Sequence, residues 1–193
     1  MDLSLKGGKF YVTIAGPSGG GKSTLCKMLL NRYHNVVHSV SNTTRPRREG
    51  EREGVHYFFL SREDFQKRID AGQMVEWAEV HGNYYGTSRE FLEGAVARGK
   101  IVVLDIDVQG VKSFKRLYPD ETLSIFLLPP SMDVLETRLR SRGTDSDAVI
   151  EKRLRNAREE ISHSSRFDYA IVNNDLDDAF IELCEILEKE LGV

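Results

Sequence analysis

A glycine-rich turn near the start of the chain separates an apolar run from a helix-like pattern. The residues GPSGGGKST follow the run FYVTIA and fit the pattern G-x-x-x-x-G-K-[ST]. This pattern predicts a P-loop where a strand precedes it and a helix follows it, as the flanking residues indicate here. The glycine backbone lets successive N–H groups turn toward a phosphate group, and the helix N-terminus adds partial positive charge. A strand end and a helix start must therefore meet at one point.

The P-loop predicts a site for a nucleoside triphosphate but does not specify the reaction. Lys22 is expected to reach the β- and γ-phosphate oxygens, and Ser23 is placed to ligate Mg²⁺. The loop predicted to bind the phosphates consists of Gly16, Pro17, Ser18, Gly19, Gly20, Gly21, Lys22, Ser23 and Thr24.

The composition is typical of one soluble domain with a small-molecule partner. The chain has 193 residues, 40% of them hydrophobic, which is enough to bury one core. Its net charge of −3 argues against a general binder of nucleic acid or membrane surfaces. The two cysteines lie far apart, and the sequence has neither a signal-peptide pattern nor an apolar run of roughly 18 residues. We therefore expect a cytoplasmic protein.

Five apolar runs rich in β-forming residues alternate with helical patterns. Near-continuous apolar strands of this kind indicate a parallel sheet that is covered on both faces. The expected fold class is α/β, with a parallel-sheet P-loop core flanked by helices. The predicted core strands are residues 10–15, 36–40, 101–107, 123–128 and 169–173, and the predicted core helices are 23–33, 91–98, 131–140, 147–164 and 176–191.

Residues 41–90 interrupt this alternation. They contain a charged turn, the short apolar run HYFFL, a helix signal with Ser61 and Asp64 in capping-box positions, and the strand-like run MVEWAEV. We interpret them as a small mixed α+β insert on a core formed by residues 1–40 and 91–193. Trp77 alternates with Glu76 along its strand, and we expect it to pack in the core.

Hydroxyl groups and arginines in the insert are typical of a second phosphate site. Arginine side chains bind phosphate oxygens in pairs, and tyrosine hydroxyls can donate to the same group. A solvated run of charges or a nucleic-acid patch is the alternative, but three nearby glutamates would repel a polyanion and favour one small phosphate. The arginines are Arg45, Arg47 and Arg48, with Tyr57 close in sequence, and the glutamates are Glu49, Glu51 and Glu53.

Several motifs in fixed order extend this pattern over nearly the whole chain. They are GPSGGGKSTL, SVSNTTR, GVHYFF, VEWAEVHGNYYGTS, VLDIDVQG, PPSMDVLETRLRSRGT, IEKRL and IVNND. In these motifs the chain resembles the guanylate kinases. The resemblance implies direct in-line transfer of the γ-phosphoryl group of ATP to GMP, and also to dGMP, with Mg²⁺ as cofactor. It implies that the insert binds GMP and that residues 141–160 form a helical lid over ATP.

The resemblance also implies roles for single residues. The residues implied to bind GMP are Ser41, Arg45, Arg48, Tyr57, Glu76, Tyr85, Thr87 and Asp107. The implied catalytic residues are Lys22, Arg45, Arg142 and Arg153. The residues implied to bind ATP together with the P-loop are Arg138, Arg142 and Asn173.

Two aspartates end the third predicted core strand, IVVLDID. Ligands bind at the carboxyl ends of strands in open α/β sheets, which favours a function for both carboxylates. We expect Asp105 to hold Mg²⁺ through water, in concert with Ser23, and Asp107 to face the guanine base.

The run TTRPRR departs from the spacing that the family usually shows, because Pro46 stands one place early and Arg47 stands where proline is expected. Proline pushes Arg45 toward an extended or polyproline II conformation. In polyproline II, Arg45 and Arg48 share a face, whereas in a flat strand Arg45 and Arg47 would share one. Proline favours the first arrangement, so we predict that Arg45 and Arg48 bind the phosphate.

Other functions stay open at this point. The chain could be another P-loop small-molecule kinase, a catalytically inactive guanylate-kinase-like binding module, or a nucleic-acid-binding ATPase. Inactive modules usually lose P-loop residues, whereas this chain keeps Gly21, Lys22 and Ser23. The acidic net charge argues against the ATPase. We expect ATP and GMP as partners, without nucleic acid or membrane; the sequence does not determine the oligomeric state.

Overall fold

The computed structural model describes residues 1–4, 8–80, 82–141, 143 and 145–192. The strands, in chain order, are β1 (Tyr11–Ala15), β2 (Val36–His38), β3 (Asn42–Thr43), β4 (Phe58–Phe59), β5 (Met74–Val80), β6 (Asn83–Ser88), β7 (Ile101–Asp105), β8 (Thr122–Leu128) and β9 (Tyr169–Val172). The helices are α1 (Lys22–Arg32), α2 (Arg62–Asp70), α3 (Arg89–Ala97), α4 (Val108–Leu117), α5 (Met132–Ser141), α6 (Asp147–Ser162) and α7 (Leu176–Leu191).

The core is a parallel sheet in the order β2–β7–β1–β8–β9. Every residue of β1 is buried. On one face of the sheet, Leu29 of α1 packs in a cluster with Val12. On the other face, Phe114 of α4 packs in a cluster with Leu104. The predicted parallel sheet with both faces covered is therefore confirmed.

The five predicted core strands and five predicted core helices are all present, with ends shifted by a few residues. Helix α4 was not predicted. Its first turn contains Gly110, which weakens the helical pattern, although Val111 and Phe114 have helical spacing and are buried. The strand predicted to reach residue 107 ends at Asp105, because Asp107 already caps α4.

A second sheet, in the order β4–β3–β6–β5, lies within residues 42–88. Strands β5 and β6 pair antiparallel, with an irregularity in register between Met74 and Glu76. Helix α2 begins as predicted, since the Ser61 hydroxyl accepts a hydrogen bond from the Asp64 backbone N–H at 3.0 Å. Its Phe65 is fully buried and stacks on Tyr84, with 5.5 Å between ring centroids. This contact joins the helix to the sheet.

The prediction that Trp77 packs in the core is wrong. Trp77 is 47% exposed, whereas Glu76 beside it is 7% exposed. The alternation itself was correct, but this face of β5 is open to solvent at Trp77, whose ring meets that of Tyr84 in a T-shaped contact with 5.7 Å between centroids. Glu79 shares this exposed face.

Helices α5 and α6 share an apolar cluster of their own, which includes Leu139 and Leu154. The end of α6 joins the core instead, because Ile161 packs against a cluster that includes Ala15 and Phe126. Among the described helices, none has the length and apolar character that crossing a membrane requires.

Phe65 and Trp77 both contact Tyr84 of the second sheet, but they differ in burial and should contribute unequally to stability. We expect Phe65→Ala to lower the free energy of unfolding by about 3–5 kcal/mol, because it empties a fully buried aromatic site. Trp77→Ala should lower it by less than about 1 kcal/mol. Urea denaturation followed by circular dichroism measures both. Equal losses would show that Trp77 is part of the packed core after all.

Candidate active site

The glycine-rich loop runs from the end of β1 to the start of α1, and its backbone is tightly enclosed. Gly16 and Gly21 have φ angles of 143° and 99°, which residues with a side chain rarely adopt. A Cβ atom at Gly16 would collide with the carbonyl oxygen of Leu127, and one at Gly21 would collide with the amide nitrogen of Asn173. Only glycine fits at both positions.

Side chains at the start of α1 are held above this loop. The Lys22 ammonium donates hydrogen bonds to the carbonyl oxygens of Gly16 and Pro17 at 2.7 and 3.3 Å. Its Nζ lies 3.9 Å from a carboxylate oxygen of Asp105. The Ser23 hydroxyl donates to the other oxygen of Asp105 at 3.2 Å. A cation, a hydroxyl and a carboxylate therefore meet at the carboxyl edge of the sheet.

A cleft of about 380 Å³ extends from this edge toward the second sheet. It brings together most of the predicted site residues, which come from separate parts of the chain. Those at the sheet edge and on α6 are Gly16, Ser18, Lys22, Asp105, Asp107 and Arg153. Those from the second sheet and its loops are Ser41, Arg45, Arg48, Tyr57, Glu76 and Tyr85.

Glu76 is the most buried carboxylate in this cleft. The Thr87 hydroxyl donates a hydrogen bond to it at 2.6 Å. Thr87, which was predicted as a site residue, therefore does not line the cleft itself but binds a residue that does. Burial raises the pKa of Glu76 to about 7; the hydrogen bond from Thr87 opposes this shift, and the nearby charge of Asp107 adds to it. Asp107 also accepts a hydrogen bond from the Gly110 backbone N–H at 2.7 Å, which caps α4.

The arginines of the TTRPRR run have different positions. Arg45 donates to Glu51 at 2.6 Å, and its guanidinium lies over the Tyr57 ring at 5.4 Å from the centroid. Arg47 and Arg48 are both exposed, but only Arg48 lines the cleft. The hydrogen bond from Arg45 lowers the pKa of Glu51. Glu51 therefore holds Arg45 in place as an ionised carboxylate.

Helix α6 reaches back to the P-loop through one arginine. Arg153 donates to the Ser18 hydroxyl at 2.7 Å and to the Asp145 carboxylate at 3.3 Å. This geometry brings α6 to the loop that is predicted to hold the triphosphate. The predicted catalytic residue Arg142 lies outside the described residues.

Two further predicted residues lie behind the P-loop rather than in the cleft. The Asn173 amide donates to the Gly20 carbonyl oxygen at 2.7 Å, and Arg138 donates to the Asn173 carbonyl oxygen at 3.0 Å. Within the described residues, the side-chain oxygen of Asn173 is buried without a hydrogen-bond partner. Thr24 follows Ser23 in α1 and is exposed.

Sequence reasoning missed three polar residues that line the cleft, namely Glu51, Asn156 and Glu160. Glu51 stood in a run of alternating charges, and only the fold pairs it with Arg45. Asn156 and Glu160 lie three and seven residues after Arg153, a spacing that places all three on one face of α6. That spacing was visible in the sequence, but the charges all around this helix concealed it.

Comparisons with known proteins show which family the chain is similar to. The family model described as Guanylate kinase matches residues 8–190. The chain is 51% identical to the guanylate kinase of Idiomarina loihiensis, over 90% of this chain and 83% of that protein. It is 46% identical to the guanylate kinase of Carboxydothermus hydrogenoformans, over 93% and 87%.

Solved structures show the same similarity. A crystal structure of guanylate kinase from Anaplasma phagocytophilum superposes with a TM-score of 0.76 at 36% identity, covering 99% of this chain and 88% of that one. A shikimate kinase from Bacteroides thetaiotaomicron superposes with a TM-score of 0.50 at 17% identity, covering 92% and 98%. At that identity it shares the fold alone.

The raised pKa of Glu76 makes stability depend on pH. Between its ordinary value of 4.5 and about 7, the folded chain binds a proton that the unfolded chain has lost, so stability falls as pH rises. As the pH rises from 5 to 8, we expect the free energy of unfolding of Glu76→Gln to increase relative to that of the parent by up to about 3 kcal/mol. Thermal unfolding at both pH values measures this, with exposed Glu79→Gln as control. A difference that does not vary with pH would contradict the assignment.

Proposed function

The chain belongs to the guanylate kinase family and transfers the γ-phosphoryl group of ATP to GMP, and we propose that the cleft residues carry out this transfer as follows. The observation that supports the assignment is that Lys22 of the P-loop and the pair Arg45 and Arg48 line one cleft. A site for a triphosphate therefore faces a site for a second phosphate. Two anions aligned in this way suit direct in-line transfer, which gives ADP and GDP.

Glu76 would recognise the guanine base. Its ionised carboxylate can accept hydrogen bonds from guanine N1–H and from the exocyclic amine, whereas adenine has neither donor at those positions. The hydrogen bond from Thr87 fixes the carboxylate orientation. Ser41 and Asp107 line the same cleft and would complete the base site.

The phosphate of GMP would bind between Arg45, Arg48, Tyr57 and Tyr85. Tyr57 lies beside both Arg45 and Tyr85, with 5.9 Å between the two tyrosine ring centroids. Glu51 holds the Arg45 guanidinium through a 2.6 Å hydrogen bond. An arginine that is already oriented loses less side-chain freedom when it binds a phosphate.

The transfer itself requires charge stabilisation rather than a general base. The second pKa of a nucleotide phosphate is about 6, so the attacking oxygen of GMP is largely ionised at pH 7. Lys22 and Arg153 would stabilise the negative charge on the transferred phosphoryl group, with Arg45 and Arg142 in the same role.

Ser23 and Asp105 supply oxygen ligands that suit Mg²⁺, with Asp105 acting through water. Mg²⁺ bound there supplies positive charge to the β- and γ-phosphate oxygens. In the described part of the chain, no group of three His, Cys, Asp or Glu residues could hold a metal. This fits an ion that is bound mainly by the substrate phosphates and water.

The domain arrangement would keep water away from the transferred group. We assign residues 41–90 to a GMP-binding insert and residues 141–160 to a lid over ATP, on a core of residues 1–40 and 91–193. Arg138 and Asn173 would bind ATP behind the P-loop. Closure of both parts would exclude water that could otherwise hydrolyse ATP.

We further propose that the protein acts in the cytoplasm and that its partners are its small-molecule substrates. Cys26 and Cys184 are free and buried, which suits a reducing compartment. The net charge of −3 does not favour nucleic acid or an anionic membrane surface.

A coupled assay of ADP release with ATP and a panel of nucleoside monophosphates tests this function. We expect kcat/KM for GMP to exceed that for AMP by about 10⁴, because AMP would leave the Glu76 carboxylate without donors. Glu76→Gln should reduce this preference strongly, and Lys22→Met should lower kcat by about a hundredfold or more. Binding of GMP without ADP release would instead indicate an inactive binding module, and preference for another monophosphate would indicate a different kinase.

The three neighbouring arginines allow a matched test of the phosphate site. We expect Arg45→Ala and Arg48→Ala each to raise KM for GMP by the equivalent of roughly 1.5–3 kcal/mol, as expected for a hydrogen bond to a charged group. Arg47→Ala should change KM little, because Arg47 does not line the cleft. Steady-state kinetics at fixed ionic strength compares them. A larger effect from Arg47 than from Arg48 would overturn the assignment.

A further inference from the structure

One face of α6 follows the cleft away from the P-loop. Arg153, Asn156 and Glu160 all line the cleft, and Arg153 donates to the Ser18 hydroxyl at 2.7 Å. An α-helix rises 1.5 Å per residue, so Glu160 lies about 10 Å further along the helix than Arg153. Helix α6 therefore presents a cation at the P-loop and a carboxyl group some distance beyond it.

The core fixes Glu160 in this position. The next residue, Ile161, packs against the cluster of Ala15 and Phe126 beneath the carboxyl edge of the sheet. Glu160 lies close enough to Lys22 and Asp107 for both charges to affect its ionisation. Glu160 is thus close both to the residue assigned to the transferred phosphoryl group and to a residue assigned to the guanine base, and all three line the cleft.

The Glu160 carboxyl group is available to accept hydrogen bonds from a ligand. Within the described ranges it forms neither a side-chain hydrogen bond nor an ion pair. Burial raises its pKa to about 7, with Lys22 opposing the shift and Asp107 adding to it. A half-buried carboxyl group that accepts no hydrogen bond from the protein can accept one from a ligand without breaking a contact inside the protein.

The chemistry of GMP limits which of its atoms could donate. An ionised carboxylate only accepts hydrogen bonds, so phosphate oxygens and the guanine carbonyl would repel it. The N1–H and amino donors of guanine are assigned to Glu76. The remaining donors are the 2′- and 3′-hydroxyl groups of the sugar, which joins the base to the phosphate, and Glu160 lines the cleft together with Asp107 and Lys22.

We propose that Glu160 accepts hydrogen bonds from the ribose hydroxyl groups of GMP and is a specificity-determining residue for the sugar of the acceptor nucleotide. This inference rests on the proposed function of the cleft. The sugar of ATP is a poorer match, because Arg138 and Asn173, which we assign to ATP, are not among the residues that line this cleft.

Calorimetric binding of GMP and of 2′,3′-dideoxyguanosine monophosphate tests the inference. We expect Glu160→Ala to weaken GMP binding about tenfold or more, as expected for lost hydrogen bonds to a charged group, and to change binding of the dideoxy nucleotide less than about twofold. The loss for dGMP, which keeps one hydroxyl, should be intermediate. Glu159→Ala removes the same charge from the exposed neighbouring position and should change neither affinity.

Equal weakening of GMP and the dideoxy nucleotide by Glu160→Ala would overturn the sugar assignment, as would unchanged binding of both. If Glu160→Ala binds neither nucleotide, Glu160→Gln decides, because it preserves the side-chain shape. Weakened GMP with unchanged dideoxy binding in that variant supports the inference, and equal weakening overturns it. A wild-type protein that binds neither nucleotide would contradict the proposed function itself, and the inference with it.

Discussion

The parallel pairing of β1 with β7 on one side and β8 on the other determines where everything else in the cleft can lie. Ile14 pairs with Asp105, and Ala15 pairs with Phe126, so β1 and β7 end within one residue of each other while β8 continues to Leu128. The P-loop leaves β1 at that level, and its tight fit against Leu127 of β8 follows directly. A change of register between β1 and β7 would separate Ser23 from Asp105.

The cleft above this edge is lined by both arginine and lysine side chains and carboxyl groups. Glu76 and Glu160 come from different elements, yet both are affected by the charge of Asp107, and burial raises the pKa of each to about 7. Arg45 and Arg153 are both held by carboxylates, Glu51 and Asp145. The protein thus orients its arginines before any phosphate group arrives, which lowers the entropy lost on binding.

Local patterns predicted much of this molecule, because they depend on neighbours in sequence. The P-loop, the capping box at Ser61 and the apolar core strands are features of this kind. The prediction for Trp77 was wrong because alternation along a strand shows which residues share a face, but not whether that face is covered. The pairing of Glu51 with Arg45 and the position of Glu160 depend on how distant segments come together, which no local pattern specifies. The roles of the site residues stay predictions.

The exposed face of β5 has a consequence for how the protein can be observed. Trp77 is the single tryptophan of the chain, and it directly follows Glu76, whose side chain points into the cleft from the opposite face of the strand. Its indole is half open to water and lies against the edge of Tyr84. Ultraviolet emission from the unmodified protein, excited at wavelengths that tyrosine does not absorb, therefore originates entirely from the insert. The chain carries an intrinsic optical reporter on the strand that also carries Glu76, the carboxylate that we propose recognises the base.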